Sequence, residues 1–155
     1  MIRKLVGADN PKLITKVEYS GDIKRALKMG NELLKFARKN PLLGISANQL
    51  GIMERVCIAT IDGEIRVFIN PVIVEKKGRV LSKKEGCLSF PKIRGDIWRA
   101  NEITISYEQY YKLDKVSVNI SEIFTGMNAV VIHHEVDHLD GIRCIDKMMN
   151  KITEQ

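Results

Sequence analysis

His134, Glu135 and His138 stand in the spacing HExxH inside the run His133 to Gly141, HHEVDHLDG. Histidines four apart on a helix lie one above the other, so both imidazoles can reach one cation. The glutamate beside the first of them is placed to take a proton from an attacking water. The chemistry this spacing serves is metal-assisted hydrolysis. The chain contains three histidines, and all three lie in this run. A helix with two core histidines satisfied by hydrogen bonds is the weaker reading.

A helix must hold this set. At about 100° per residue, Met127, Val131, His134 and His138 fall in a stripe on the order of 60° wide, which predicts that the histidines continue an apolar face and point inward. Thr125-Gly126 marks the helix start and Gly141 its stop. His133 lies off the stripe and is read as a packing residue or a support behind the ligands. A second, amphipathic helix is expected over 22–40, from Asp22 to Asn40 before Pro41, with a basic outer face and no chemistry of its own. The stretch 42–51, LLGISANQLG, reads as a loop or edge strand whose small residues allow close backbone approach and whose Gln49 offers an amide at a fixed place.

From Arg55 the pattern changes to short β-branched runs. VCIAT and EIRVFIN flank Asp62-Gly63 as a hairpin, Asn70-Pro71 breaks the sheet, and VIVEKKGRVL resumes it through a turn at Gly78. EITISYEQY then faces KVSVNI. Strands followed by the metal helix predict an α+β fold, with antiparallel sheets around the HExxH helix. Between the strand pairs, KEGCLSFP places Cys87 beside a glycine in an extended segment. A lone cysteine there is usually a small core residue, but a thiolate would complete a three-ligand site with a fourth position open for water. Cys144, six residues after His138, and Glu154 in the tail compete for the same role.

Size and composition agree with one globular domain over 1–155. Hydrophobic residues at 45% and charged residues at 28% are ordinary values, and no repeat or low-complexity tract is present. No segment suits a signal peptide or a membrane span, so a cytoplasmic protein without membrane contact is expected. Cys57, Cys87 and Cys144 cannot all pair, which favours core or metal roles over a disulfide framework. Lys and Arg outnumber Asp and Glu by 25 to 19. The excess is scattered and lacks interleaved aromatics, so no dedicated nucleic-acid function is expected.

Three stretches taken together resemble the peptide deformylase family: LLGISANQ at 42–49, EGCLS at 85–89 and HEVDHLDG at 134–141. Order and separations are also similar, and the similarity covers nearly the whole chain. Pro91, Arg94 and Arg99 fall where the family has a proline and two arginines. Leu42 replaces the first glycine of the strand motif, and His133 replaces a glutamine. Fourteen residues follow Gly141, too few for the long C-terminal helix that longer bacterial members carry for ribosome contact. Short forms of this kind resemble those encoded by phages, which would work in the host cytoplasm.

The resemblance implies that Cys87, His134 and His138 hold one divalent metal, with ferrous iron favoured and zinc, nickel or cobalt admissible. It implies that Glu135 is general base and acid, and that Gln49 and the Leu88 backbone N–H stabilise the oxyanion. The substrates would be N-formylmethionyl peptides and nascent chains, cleaved to formate and a free amino terminus. The peptide would bind as an added strand along Leu43, Gly44 and Ile45 and along Gly86 to Ser89, with Arg94 nearby. Its methionine would enter a pocket lined by Leu43, Met127, Val130 and Val131, of which Val130 reads equally well as core. Two rivals are a zinc endopeptidase with Cys144 as third ligand and a non-catalytic metal-binding scaffold.

Overall fold

A computed structural model describes residues 3–154. The element order is α1 (Ile23–Lys39), β1 (Gly44–Ser46), β2 (Val56–Ile61), β3 (Glu64–Lys77), β4 (Val80–Cys87), β5 (Phe90–Arg99), β6 (Glu102–Tyr111), β7 (Val116–Thr125), α2 (Gly126–Leu139) and β8 (Met149–Thr153). Two antiparallel sheets form, one in the order β1-β2-β3-β6-β7 and one in the order β4-β5-β8. The architecture is the expected α+β, with the HExxH helix packed against the larger sheet.

The run VCIATI is apolar at nearly every position because both of its faces are covered. Val56 and Ile58 pack with Ala26, Met29 and Leu33 of α1. Cys57, Ala59 and Ile61 pack with Ala129, Ile132, Val136 and Leu139 of α2. The larger sheet is therefore held between the two helices. The smaller sheet has its own apolar cluster of Leu13, Phe90, Ile97, Cys144 and Met148, with Cys87 against it.

The first helix starts at the expected place because the Asp22 side chain accepts hydrogen bonds from the Lys24 and Arg25 backbone N–H groups. The Asp62-Gly63 hairpin also forms, with both residues at positive φ (51° and 83°), the backbone a tight two-residue turn requires. The pairing of EITISYEQY with KVSVNI is the β6–β7 ladder.

Several expectations differ from the structure. Asn70-Pro71 does not break the sheet: β3 runs through it, and the register with β6 shifts between Ile69 and Val72. A bulge absorbs the proline, since Asn70 adopts φ 51° and its side chain is pinned by Ser20 and Glu108. The turn at Gly78 forms, at φ 68°, but it does not resume the same sheet: β3 pairs with β6 and β4 with β5, so it carries the chain from one sheet to the other. The stretch 42–51 supplies the edge strand β1, as one of the two readings has it, and then a 3-10 turn over Ala47–Leu50 that neither reading includes; the strands do not all precede the helix, since β8 follows it.

The C-terminal end of α2 is held firmly. Gly141 takes φ 74° just past the helix, as a glycine stop should. The last carbonyls, which have no partners inside the helix, are met from outside. Asn48 Nδ2 donates to His138 O (2.7 Å), Arg55 Nη1 to Leu139 O (3.1 Å) and the Val17 N–H to Leu139 O (2.7 Å). Arg55 also pairs with Asp140 at 2.8 Å, placing a cation where the helix dipole favours one. No described helix is long and apolar enough to cross a membrane.

Candidate active site

The two HExxH histidines converge as the spacing predicts: His134 Nε2 and His138 Nε2 lie 3.1 Å apart. Cys87, at the end of β4, brings its Sγ to 3.2 Å from His138 Nε2. Sulfur and nitrogen bonds of about 2.3 and 2.1 Å to a tetrahedral cation give donor separations of roughly 3.4–3.6 Å, close to those found. The donor set therefore fits a divalent cation. Cys144 Sγ is also near: it, Cys87 Sγ and a His134 ring nitrogen lie within 4.8 Å of one another. Cys144 is buried in the cluster behind the small sheet, however, whereas Cys87 lines an open cavity.

Glu135 faces the same place: a carboxylate oxygen lies within 4.8 Å of ring nitrogens of both His134 and His138. Its carboxylate is buried, with Oε1 at 3.9 Å from His134 Nε2 and Oε2 without a hydrogen-bond partner. Burial pushes the carboxyl up to about 7, with His134 and Arg99 opposing. Gly44 of β1 makes room for it: a Cβ at that position would stand 2.8 Å from Glu135 Cγ and 2.8 Å from Ile58 O. This is the close approach for which the small residues of 42–51 are needed.

Gln49 sits on the 3-10 turn after β1 with its amide fixed at both ends. Oε1 accepts from the Ser46 backbone N–H (2.9 Å) and from Ser46 Oγ (3.0 Å), which forces the amide nitrogen to the other side. Nε2 donates to Ser89 Oγ (2.9 Å) and lies 3.6 Å from Cys87 Sγ, so a donor points at the donor cluster. Leu88 occupies the turn between β4 and β5 and lines the same cavity.

That cavity, about 440 Å³, runs between β1, the free edge of the larger sheet, and β4, an edge of the smaller one. Leu43, Gly44, Gly86, Arg94, Met127, Val130 and Val131 all line it, with Gln49, Cys87, His134 and Glu135. Val130 thus faces the cavity and not the core. Ile45 does not line it: its side chain is fully buried against α1, leaving only backbone at the edge. Met127 departs from the inward stripe, being 69% exposed at the cavity rim, where no described element covers it. The helix is buried around most of its circumference from Val131 onward.

A carboxylate that the sequence reading left without a role completes the site. Glu85 Oε1 lies 2.6 Å from His134 Nδ1, and Arg99, fully buried, donates to both Glu85 oxygens (2.9 and 2.5 Å) and to Asp137 Oδ2 (3.1 Å). Burial alone would raise the Glu85 carboxyl, but hydrogen bonds from Arg99 and His134 hold it well below the usual range. Asp137, the D of HEVDH, is likewise held low against its burial by His133 and Lys147. His133 itself is buried 3.5 Å from Asp137 Oδ1, in a geometry that makes no hydrogen bond, and burial pushes it down to about 4.

The only local signal for Glu85 was its position two residues before Cys87. A carboxylate on the far nitrogen of a ligating histidine fixes its tautomer and orientation, and losing such a partner typically costs about 10- to 100-fold in metal affinity. Glu85→Gln is expected to weaken cation binding by about that factor, measured by competition with a chelating dye.

The fold and donor set define an α+β scaffold in which an HExxH helix and a strand-end cysteine converge under a peptide-sized groove. Comparison with known proteins then gives the family. The family model described as "Polypeptide deformylase" matches residues 2–154. A peptide deformylase of Pseudothermotoga lettingae is 36% identical over 104 residues, covering 67% of this chain and 57% of that relative. One of Acetivibrio thermocellus is 28% identical over 156 residues, covering 99% and 88%. The crystal structure of peptide deformylase from Thermotoga maritima superposes with a TM-score of 0.84 at 26% identity, covering 96% of this chain and 99% of that one. This chain belongs to the polypeptide deformylase family.

Proposed function

We propose that the chain works as one catalytic domain that removes the formyl group from the amino-terminal formylmethionine of newly made polypeptides, releasing formate. The observation that carries this reading is the convergence of Cys87, His134 and His138 beside Glu135 and Gln49, at the floor of a groove with a free strand edge.

Cys87, His134 and His138 would hold a divalent cation, with ferrous iron first and zinc, nickel or cobalt able to take its place; one thiolate and two imidazoles suit all four. Such a cation supplies Lewis acidity toward the formyl oxygen and makes water a stronger nucleophile at neutral pH. The peptide backbone extends β1 at its open edge and meets Gly86 to Ser89 on the other side. Its methionine side chain enters the apolar end of the groove, between Leu43, Met127, Val130 and Val131. Glu135 takes a proton from the attacking water and returns it to the departing amine. Gln49 Nε2 and the Leu88 N–H donate to the oxygen that becomes negative during attack.

The Ser46 clamp on Oε1 makes the amide nitrogen of Gln49 a preorganised donor, so its removal should act on turnover and not on peptide affinity. Gln49→Ala is expected to lower kcat by about 10²- to 10³-fold with little change in KM. A rise confined to KM would reassign Gln49 to substrate positioning.

The endopeptidase reading predicts cleavage of internal peptide bonds. Offering formyl-Met-Ala-Ser beside an unformylated longer peptide separates the two. Formate from the first with the second left intact supports deformylation, and cut internal bonds without formate would overturn it.

A further inference from the structure

Cys144 is unused by the reaction, yet its sulfur lies within 4.8 Å of Cys87 Sγ. The pair is asymmetric. Cys87 lines the open groove, where a small solute can reach it, while Cys144 is buried behind it among Leu13, Phe90, Ile97 and Met148. Cys57, the remaining cysteine, is fully buried against α2 in a different cluster and can serve as an internal control.

We propose that Cys87 and Cys144 form an oxidative modification site, in which a hydroperoxide converts the dithiol to a disulfide and so dismantles the cation site reversibly. The Cys87 thiolate attacks one peroxide oxygen. An S–O bond forms, the O–O bond breaks, and hydroxide leaves with the thiol proton as water. The sulfur of Cys144 then attacks the Cys87 sulfenic acid. The S–S bond forms, the S–O bond breaks, and a second water carries away the Cys144 proton. The two thiols lose two electrons and two protons together, and the peroxide accepts both electrons.

An S–S bond is about 2 Å long, so the sulfurs must approach from their present separation. Rotation of Cys87 about its Cα–Cβ bond swings Sγ away from His138. The short 3-10 turn Cys144–Asp146 carries the other sulfur and belongs to no sheet ladder, so a shift of it breaks none. The disulfide removes the thiolate from the donor set and leaves the two imidazoles with the neighbouring Glu135 carboxylate, a weaker set from which a chelator can take the cation. It also shields Cys87 from further oxidation, because a sulfenic acid captured by a neighbouring thiol does not proceed to sulfinic acid.

This inference rests on the proposed ligand role of Cys87, but its readouts do not use deformylation, so each can fail alone. Metal-loaded protein is treated with hydrogen peroxide in the presence of a chromogenic chelator, then alkylated, weighed intact and mapped without reduction. The expected result is loss of two hydrogens, a Cys87–Cys144 linked peptide, release of the cation, and recovery of cation binding after dithiothreitol and reloading. In Cys144→Ala the linked peptide is absent, Cys87 gains two or three oxygens, and dithiothreitol recovers no binding.

Over-oxidation of Cys87 in the unsubstituted protein without a link to Cys144 would overturn the proposal. So would a link to Cys57, or a linked protein that keeps its cation. Should Cys144→Ala not fold, the peptide map of the unsubstituted protein decides by itself.

Discussion

Glu135→Ala is expected to lower deformylation by about 10²- to 10⁴-fold while the cation stays bound, because it removes the proton carrier and no ligand. The proposed division of roles is supported by distances. The donors Cys87 Sγ, His138 Nε2 and His134 Nε2 lie within 3.1–3.2 Å of their neighbours, whereas the nearer carboxylate oxygen of Glu135 is 3.9 Å from His134 Nε2. Its other oxygen is buried with no hydrogen-bond partner among the described residues, an arrangement that would be costly for a merely structural carboxylate and supports the proposed proton-carrying role. Glu135→Gln keeps the shape against Gly44 and should lose a similar factor, which guards against a packing explanation. Turnover and metal content are measured on the same samples. Unchanged turnover with the cation in place would sink the assigned mechanism whatever the fold.

Cys87→Ser should be as damaging for a different reason. Replacing the thiolate by a hydroxyl removes the only anionic donor of the set, and cation affinity should fall on the order of 10²-fold or more, beyond the loss typical of an indirect partner. Activity goes with it. Cys144→Ser should leave cation stoichiometry and turnover intact under reducing conditions, because Cys144 is buried in the small-sheet cluster and does not itself line the groove. Metal content by mass spectrometry for both variants checks this, with circular dichroism as the folding control. The opposite pattern, metal kept in Cys87→Ser and lost in Cys144→Ser, would move the third ligand to Cys144 and favour the endopeptidase.

Residues whose placement depends on local spacing were readable from the sequence. His134, Glu135 and His138 were legible because a helix places i and i+4 on one face. The stop at Gly141, the Asp62-Gly63 hairpin and the first helix were legible because capping and turn chemistry act within four residues. The convergence of Cys87 with the histidines was legible only because HExxH asked for a third ligand and because EGCLS resembles a family motif.

What stayed hidden depends on distant partners. Glu85 reaches His134 across 49 positions of sequence, and Asn48 reaches the end of α2 across 90. The roles of Arg99 and Asp137 exist only as members of a buried network, since a buried ion group is tolerable only when each charge has its partner. Asn70-Pro71 carried a break signal that the sheet absorbed as a bulge, and the Gly78 turn gave no hint that it leads into a second sheet. Met127 kept the stripe's period yet stands exposed, because periodicity says which side a residue faces and not whether anything covers that side.

The measurement closest to the central claim is formate release from formyl-Met-Ala-Ser by protein purified without oxygen, then stripped with a chelator and reloaded in parallel with ferrous iron, nickel or zinc. The account predicts that release stops on stripping and returns on reloading, with ferrous iron or nickel restoring more than zinc. No release from any loaded form, with stoichiometric cation bound and the peptide in excess, would contradict it.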